Sequence, residues 1–347
     1  VYYLFLLSKF DVMKLVTYLK NNHPQLALLV DGKLYDTEKL HPDLPESMAM
    51  FLNYWDDVMP LAKAVEQRIK EGLVRNVMAK SFDEEEIIAP VPHPTSCRDG
   101  YAFRQHVAAA RRNRKVDMIP EFDQYPIFYF TNHNSIQGPG DVYCMPDHFE
   151  KLDFELEVAI VINRPCRNIK AADADAYIGG LMIMNDLSAR RLQMEEMLLN
   201  LGPAKGKDFA TCIGPMLVTL DELEQYEVPC KENHTGKSWN LNMKCNVNGV
   251  QVSQGNVSEM DWTFAEIIER CSYGVNLFPG DVIGSGTVGT GCFLELNGTG
   301  KFNDANYTEQ WLQPGDVVEM EIDGLGKLSN TMLKEDTDFS ILALKKK

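Results

Sequence analysis

No run of about eighteen apolar residues occurs in the chain, which excludes a membrane-spanning helix. Basic residues are in the minority: 34 lysines and arginines stand against 50 aspartates and glutamates, a formal net charge of −16. The one dense basic stretch is Arg111, Arg112, Arg114 and Lys115, with a short tail at Lys345, Lys346 and Lys347. Neither makes a surface able to track phosphates, so nucleic acid and anionic membranes are excluded as partners. The eight cysteines, at 97, 144, 166, 212, 230, 245, 271 and 292, include no Cys-x-x-Cys pair. That is the usage of reduced, structural thiols, and it sets a cytoplasmic location as the expectation. His-x-x-x-His zinc spacing and the Gly-x-Ser-x-Gly nucleophile elbow are missing as well. Residues 2–7 are apolar but lack the basic flank and small-residue cleavage pattern of a signal peptide. Met13-Lys14-Leu15-Val16 reads as a natural start, so residues 1–12 are expected to be an upstream extension.

What is present is an ordinary globular composition of 45 % apolar and 24 % charged residues, over a length of 347 that favours two domains. Residues 26–30 and 33–35 flank Asp31-Gly32, a hairpin signal. Residues 45–72 carry helical apolar spacing and stop at Gly72. Prolines at 90, 92 and 94 mark a boundary, giving a small N-terminal domain over 13–89 and a main domain over 90–347. Past residue 95 strands dominate: 152–161, a hairpin over 243–252 around Asn248-Gly249, and 281–283, 292–296 and 316–322. Helices are expected over 186–201 and 260–273. The fold class is therefore α+β and β-dominated.

Four segments could carry chemistry. In Leu152-Asp153-Phe154-Glu155-Leu156-Glu157, alternation puts three acids on one face of a strand. They read either as a solvent-facing acidic edge or as buried carboxylates, because the apolar run that follows implies burial on both faces. Buried side by side, such groups repel unless protonated or bound to a hard cation, Mg²⁺ or Ca²⁺. In Met184-Asn185-Asp186-Leu187-Ser188-Ala189-Arg190-Arg191-Leu192-Gln193, Asp186 reads as a helix N-cap or as a further ligand. His106, in Arg98-Asp99-Gly100-Tyr101-Ala102-Phe103-Arg104-Gln105-His106, reads as structural or catalytic. Lys207, in Gly206-Lys207-Asp208, reads as a surface loop or as a nucleophilic amine. Gly284-Ser285-Gly286-Thr287-Val288-Gly289 matches the dinucleotide fingerprint and follows a strand. Because 292–296 reads as another strand, not a pyrophosphate-binding helix, that function is set aside.

Six motifs in order carry a resemblance. They are Asp99-x-Tyr101-x-x-Arg104-Gln105-His106, Leu152-Asp153-x-Glu155-Leu156-Glu157, Met184-Asn185-Asp186-x-Ser188-Ala189-Arg190-x-x-Gln193, Gly206-Lys207-x-Phe209-x-Thr211, Ser285-Gly286-Thr287 and Leu294-Glu295-Leu296. Over about residues 90–335 the chain resembles the fumarylacetoacetate hydrolase family, and its N-terminal segment looks like the small β-rich domain of longer members. The resemblance implies a mixed β-sandwich or β-roll catalytic domain and a homodimer. It implies Asp99, Glu155, Glu157 and Asp186 as ligands of Mg²⁺ or Ca²⁺, with His106 as the base that activates water and Glu295 orienting it. By the same resemblance Arg190, Gln193 and Lys207 would stabilise an oxyanion, and Tyr101, Thr287 and Tyr129 would touch a diketo acid. The activity implied is carbon–carbon bond hydrolysis, foremost of fumarylacetoacetate, with acylpyruvate hydrolysis or decarboxylation and isomerisation of aromatic catabolites as the alternative. Two positions depart from the family pattern: Met197 stands where a tyrosine is usual, and no one of Arg111, Arg112 and Arg114 matches the substrate-binding arginine past the histidine.

Overall fold

The computed structural model describes residues 13–74 and 77–346, so the expected extension over 1–12 lies outside the described residues. Strands β1 (Lys14–Lys20), β2 (His23–Val30) and β3 (Lys33–Asp36) form a meander, with the Asp31-Gly32 turn both residues at positive φ, as a tight hairpin needs. Helices α1 (Met48–Asn53) and α2 (Trp55–Lys70) follow. One helix was expected over 45–72; the backbone leaves the helix at Tyr54, letting the Phe51 and Trp55 rings meet edge to face at 5.9 Å.

The rest of the chain supplies β4 (Ser96–Gly100), α3 (Arg104–Asn113), β5 (Phe128–Thr131), β6 (Gly140–Cys144), β7 (Leu156–Ile162), β8 (Ile178–Asp186), α4 (Arg190–Glu196) and β9 (Thr211–Val218). Then come β10 (Asn242–Val247), β11 (Val250–Asn256), α5 (Phe264–Ser272), β12 (Asp281–Gly284), α6 (Phe293–Asn303), β13 (Val317–Ile322) and β14 (Gly326–Lys334). Among the described residues the large sheet has eleven strands and runs β3-β2-β1-β9-β8-β7-β12-β4-β5 through its middle. A second sheet of five runs β11-β10-β13-β14-β6. The N-terminal meander therefore continues the main sheet, through β1 against β9 (Lys14↔Val218, Leu15↔Leu217). This is the β-dominated α+β class expected.

The continuous apolar run of β7 follows from burial on both faces. Val158, Ile160 and Ile162 point into the core shared with the five-stranded sheet, while Ala159 and Val161 meet the core built by α1 and α2. That packing buries Glu66 of α2, whose Oε1 sits 3.3 Å from Lys70 and whose Oε2 has no hydrogen-bond partner. Burial pushes its carboxyl from 4.5 up to about 7, against the pull of Lys70. A folded pKa above the unfolded one gives stability that is full below about 4.5 and lost as pH rises through about 7. Glu66→Gln is thus expected to melt a few degrees above the parent at pH 8 and level with it at pH 4, by differential scanning fluorimetry. An unchanged difference at the two pH values would count against the buried carboxyl as the cause.

Three local expectations are corrected. Residues 292–296 are not a strand: Cys292 caps α6, its Sγ accepting from the Glu295 amide at 3.4 Å. Asp153 also takes the amides of Phe293 and Leu294 at 2.7 and 2.9 Å, a tertiary cap that outweighs the glycines inside the helix. Asp186 is no N-cap, because it ends β8 paired to Thr211 of β9, and the helix expected over 186–201 opens only at Arg190. The helix expected from 260 starts at Phe264, where Thr263 and Glu266 form a reciprocal capping box.

Candidate metal centre and active site

Asp99 ends in β4, Glu157 lies at the start of β7 with Glu155 just before it, and Asp186 ends β8. In the large sheet β8 pairs with β7 and β12 lies between β7 and β4, and one carboxylate oxygen from each residue falls within 4.8 Å of the others. The solvent-edge reading of the 153–157 acids is thereby overturned, since Asp153, Glu155 and Glu157 are all buried. Chain irregularity makes this possible: Leu152–Asp153 pairs separately with Ser188–Ala189, and the Glu155 amide turns to Asn185 Oδ1 at 3.1 Å.

Charge around the four acids is uneven. Lys207 Nζ bonds Glu155 Oε2 at 2.5 Å and Asp186 Oδ2 at 2.8 Å. Arg190 donates from Nη2 to Glu155 Oε1 at 2.7 Å, from Nε to Asp153 Oδ2 at 2.8 Å and from Nη1 to Gln193 at 2.9 Å. Burial acts to raise Glu155, but Lys207 and then Arg190 overcome it and hold the carboxyl at about 2. Asp99 goes the other way, pushed to about 7 by burial and then by Asp186. Asp99 Oδ1 keeps one donor, the Gly286 amide at 3.0 Å. Glu157 has none: it is fully buried and neither oxygen finds a hydrogen-bond partner. Burial, then Asp99 and Glu155, push its carboxyl well above the usual range. A buried carboxyl with no donor of its own, inside an all-oxygen donor set, is accommodated by a proton shared with Asp99 or by a hard divalent cation.

Beside this set stands a histidine–carboxylate pair. His106 of α3 places Nδ1 2.6 Å from Glu295 Oε2 of α6, both buried, and Glu295 Oε1 accepts from the Thr290 amide at 3.0 Å. The carboxylate thus fixes the ring with Nε2 turned away from it. Tyr101 packs edge-on to that ring at 5.9 Å. Tyr129 donates its hydroxyl to Asp186 Oδ2, and burial keeps that hydroxyl protonated by raising its pKa well above the ordinary value. Thr287 is buried directly after Gly286.

The glycine string has a different use from the one its pattern suggests. A Cβ on Gly284 would lie 2.5 Å from Asp99 Oδ1, and one on Gly286, at φ +79, would lie 2.6 Å from the Gly100 carbonyl. These glycines let the loop after β12 close on Asp99. A helix does follow, but Asp153 already occupies its first amides, so the site is still not one for pyrophosphate. Lys207 is buried, which corrects the surface-loop reading; burial works to lower its pKa, but Asp186 and Glu155 raise it above the ordinary range, unlike a nucleophilic amine.

Three contributors were not singled out as site residues. Asp153 shares the alternation of Glu155 and Glu157, which was the available signal. Asn185 sits inside a quoted motif. Thr290 takes φ +66, unusual for a β-branched residue, and nothing in the sequence marks it. All eight cysteines are unpaired, as expected. Among the described residues no helix is long and apolar enough to cross a membrane.

The chain is similar to several known proteins. The mitochondrial oxaloacetate tautomerase of Homo sapiens is 30% identical over 311 residues, 87% of this chain and 84% of that one. Its Rattus norvegicus counterpart is 29% identical over 324 residues, 91% and 89% of the two chains. The maleylpyruvate hydrolase of a Sphingobium species, solved with manganese(II) and pyruvate, superposes with a TM-score of 0.65 at 18% identity, covering 93% of this chain and 100% of that one. The family model for the fumarylacetoacetate (FAA) hydrolase C-terminal domain matches residues 95–333. With that span of matching sequence over the strands that carry the acids, the chain belongs to the fumarylacetoacetate hydrolase family.

Proposed function

We propose that the protein is a divalent-cation-dependent enzyme of enolisable 2-oxo acids, with keto–enol tautomerisation of oxaloacetate as its reaction. The observation that carries the cation is Glu157, whose buried oxygens have no partner within the four-acid set. Asp99, Glu155, Glu157 and Asp186 would hold the ion, which when bound would supply a Lewis acid that stabilises enolate charge. In the keto-to-enol direction His106 Nε2 takes a proton from the carbon between the two carbonyls, the freed pair forms the C=C bond as the ketone oxygen gains charge, and the proton is then given to that oxygen. In the reverse direction the enol O–H proton is taken and given to the carbon, with Glu295 holding the tautomer needed. Tyr129 and Lys207 orient the acids, Arg190 holds Glu155 and is itself held by Gln193, both donors toward the developing enolate, and Tyr101 and Thr287 line the substrate position. The substrate choice rests on the curated relatives named as oxaloacetate tautomerases over most of their length.

A second reading, hydrolysis of a diketo acid such as an acylpyruvate or fumarylacetoacetate, is favoured by the His106–Glu295 pair. That pair suits taking a proton from water as its oxygen attacks the acyl carbon. The carbon–carbon bond then breaks, its electron pair becomes the enolate of the leaving half, and the proton returns from His106 to carbon. EDTA-treated protein is expected to be inactive and to regain activity with Mn²⁺, Mg²⁺ or Ca²⁺, followed as loss of enol or diketone absorbance. Ketonisation of oxaloacetate no faster than in buffer, with cleavage of an acylpyruvate or fumarylacetoacetate, would replace the first reading by the second. Activity that survives EDTA, with substrate trapped on Lys207 by borohydride, would overturn both. We further propose a homodimer, to be read by analytical ultracentrifugation. The cytoplasmic expectation is set against relatives named as mitochondrial, and cell fractionation decides between them.

A further inference from the structure

The four-acid set and the His106–Glu295 pair are described above as two constellations, and one residue touches the supports of both. Asp153 is fully buried. Its Oδ2 accepts from Arg190 Nε at 2.8 Å, and Arg190 passes Nη2 on to Glu155 Oε1 at 2.7 Å. The same carboxylate accepts from the amides of Phe293 at 2.7 Å and Leu294 at 2.9 Å, the opening residues of the helix on which Glu295 sits next in line. From these contacts we infer that Asp153 is a positioning residue that couples the two halves of the site, holding Glu155 through Arg190 and Glu295 through the first turn of α6.

The charges explain why an aspartate serves here. Arg190 is buried between two carboxylates, and a buried guanidinium is tolerated only when its donors are matched. With Asp153 in place, Glu155 shares Arg190 and keeps electron density for a cation. The helix end presents partial positive charge and two amides, one on each oxygen of the carboxylate, and an amide side chain has a single oxygen to offer them. An asparagine at 153 that keeps its oxygen toward Arg190 also keeps the Leu294 amide, but its NH₂ would then face the Phe293 amide, so the helix start must shift. Glu295 would move with it, and His106 after Glu295. Taking up an ion at Glu155 must then register in the first turn of α6, although the two lie 140 positions apart in the chain.

This inference rests on the proposed metal site, and its test needs no turnover. Hydrogen-exchange mass spectrometry of the full chain is run with EDTA and with saturating Mn²⁺, while calorimetry measures Mn²⁺ affinity separately. In the parent protein Mn²⁺ is expected to slow exchange of the peptide spanning 292–296 by about tenfold or more. In Asp153→Asn, Mn²⁺ still binds, about 10–100-fold more weakly, and that slowing disappears. Should Asp153→Asn fail to fold, Arg190→Lys cuts the link at its other end while Asp153 keeps its amides. It is expected to retain slow basal exchange at 292–296 but lose the Mn²⁺ response. Equal Mn²⁺-dependent slowing in parent and both variants overturns the coupling, as does absence of slowing in a parent that binds Mn²⁺. Binding of Mn²⁺ without activity on any of the substrates above would defeat the proposed reaction and leave the coupling standing.

Discussion

Replacing Glu157 by glutamine is expected to change thermal stability in opposite directions with and without a divalent cation. Without the ion the parent chain buries a carboxyl group whose oxygens have no donor, beside Asp99, Glu155 and Asp186. At alkaline pH, where unfolding lets that carboxyl ionise and burial resists it, glutamine keeps the shape without the penalty, so in EDTA Glu157→Gln should melt a few degrees higher there. In saturating Mn²⁺ the order reverses. An ion that binds only the folded chain stabilises it by about 4 kcal/mol at a thousand times its dissociation constant. A set that loses one of its charged ligands forfeits most of that gain. The variant's melting point should move little on adding Mn²⁺ while the parent's rises by several degrees, and metal-dependent activity should fall by more than the roughly 10–100-fold typical of groups that merely orient ligands. Equal Mn²⁺ shifts in the two proteins would remove Glu157 from the ligand set.

The second large effect concerns the base. His106→Ala should lower kcat by about 10² to 10⁴, the range for losing a positioned proton acceptor, with the Mn²⁺ melting shift unaltered because His106 is not among the four acids. Glu295→Gln should cost less, since its carbonyl oxygen can still receive the His106 Nδ1 hydrogen, though its NH₂ then opposes the Thr290 amide. The pair acts through one ring, so the double variant should be no slower than His106→Ala alone. Additive losses would mean that Glu295 contributes by some route other than His106.

Of the candidate site, spacing made the 153–157 acids legible, while Asp99, the His106–Glu295 pair and the roles of Arg190, Gln193 and Lys207 came through the family resemblance. The 153–157 alternation left a solvent edge and buried acids both open, with only the apolar run after it pointing to burial, and the structure shows both cores that β7 serves. Asp186 was harder, because Asn-Asp before Ser-Ala-Arg looks like a cap, and only pairing with Thr211 of β9 keeps it in a strand. Residues 292–296 read as β because α6 contains Gly298 and Gly300 and owes its start to Asp153, a partner 140 positions upstream that no local pattern shows. Lys207 looked exposed between its neighbours for the same reason: its amine is held by Glu155 and by Asp186 of β8, both distant in the chain. Local propensity was overridden wherever a site residue is held by a distant segment.

The long-range pairing of the site has a consequence in time. His106 and Glu295 are 189 positions apart, and β12 joins β4 in parallel with Asp281 opposite Ser96. At ordinary rates of synthesis, about ten to forty seconds pass between the ribosome adding the first of these residues and the second. For that interval Asp99 has no Gly286 amide, and the β4 edge has no β12 to cover it. The growing chain must therefore hold an unfinished sheet edge open until nearly all of it has emerged, and a cation can find its complete seat only on a finished molecule. A ribosome stalled before residue 281 would present a sticky half-sheet instead of a slower enzyme.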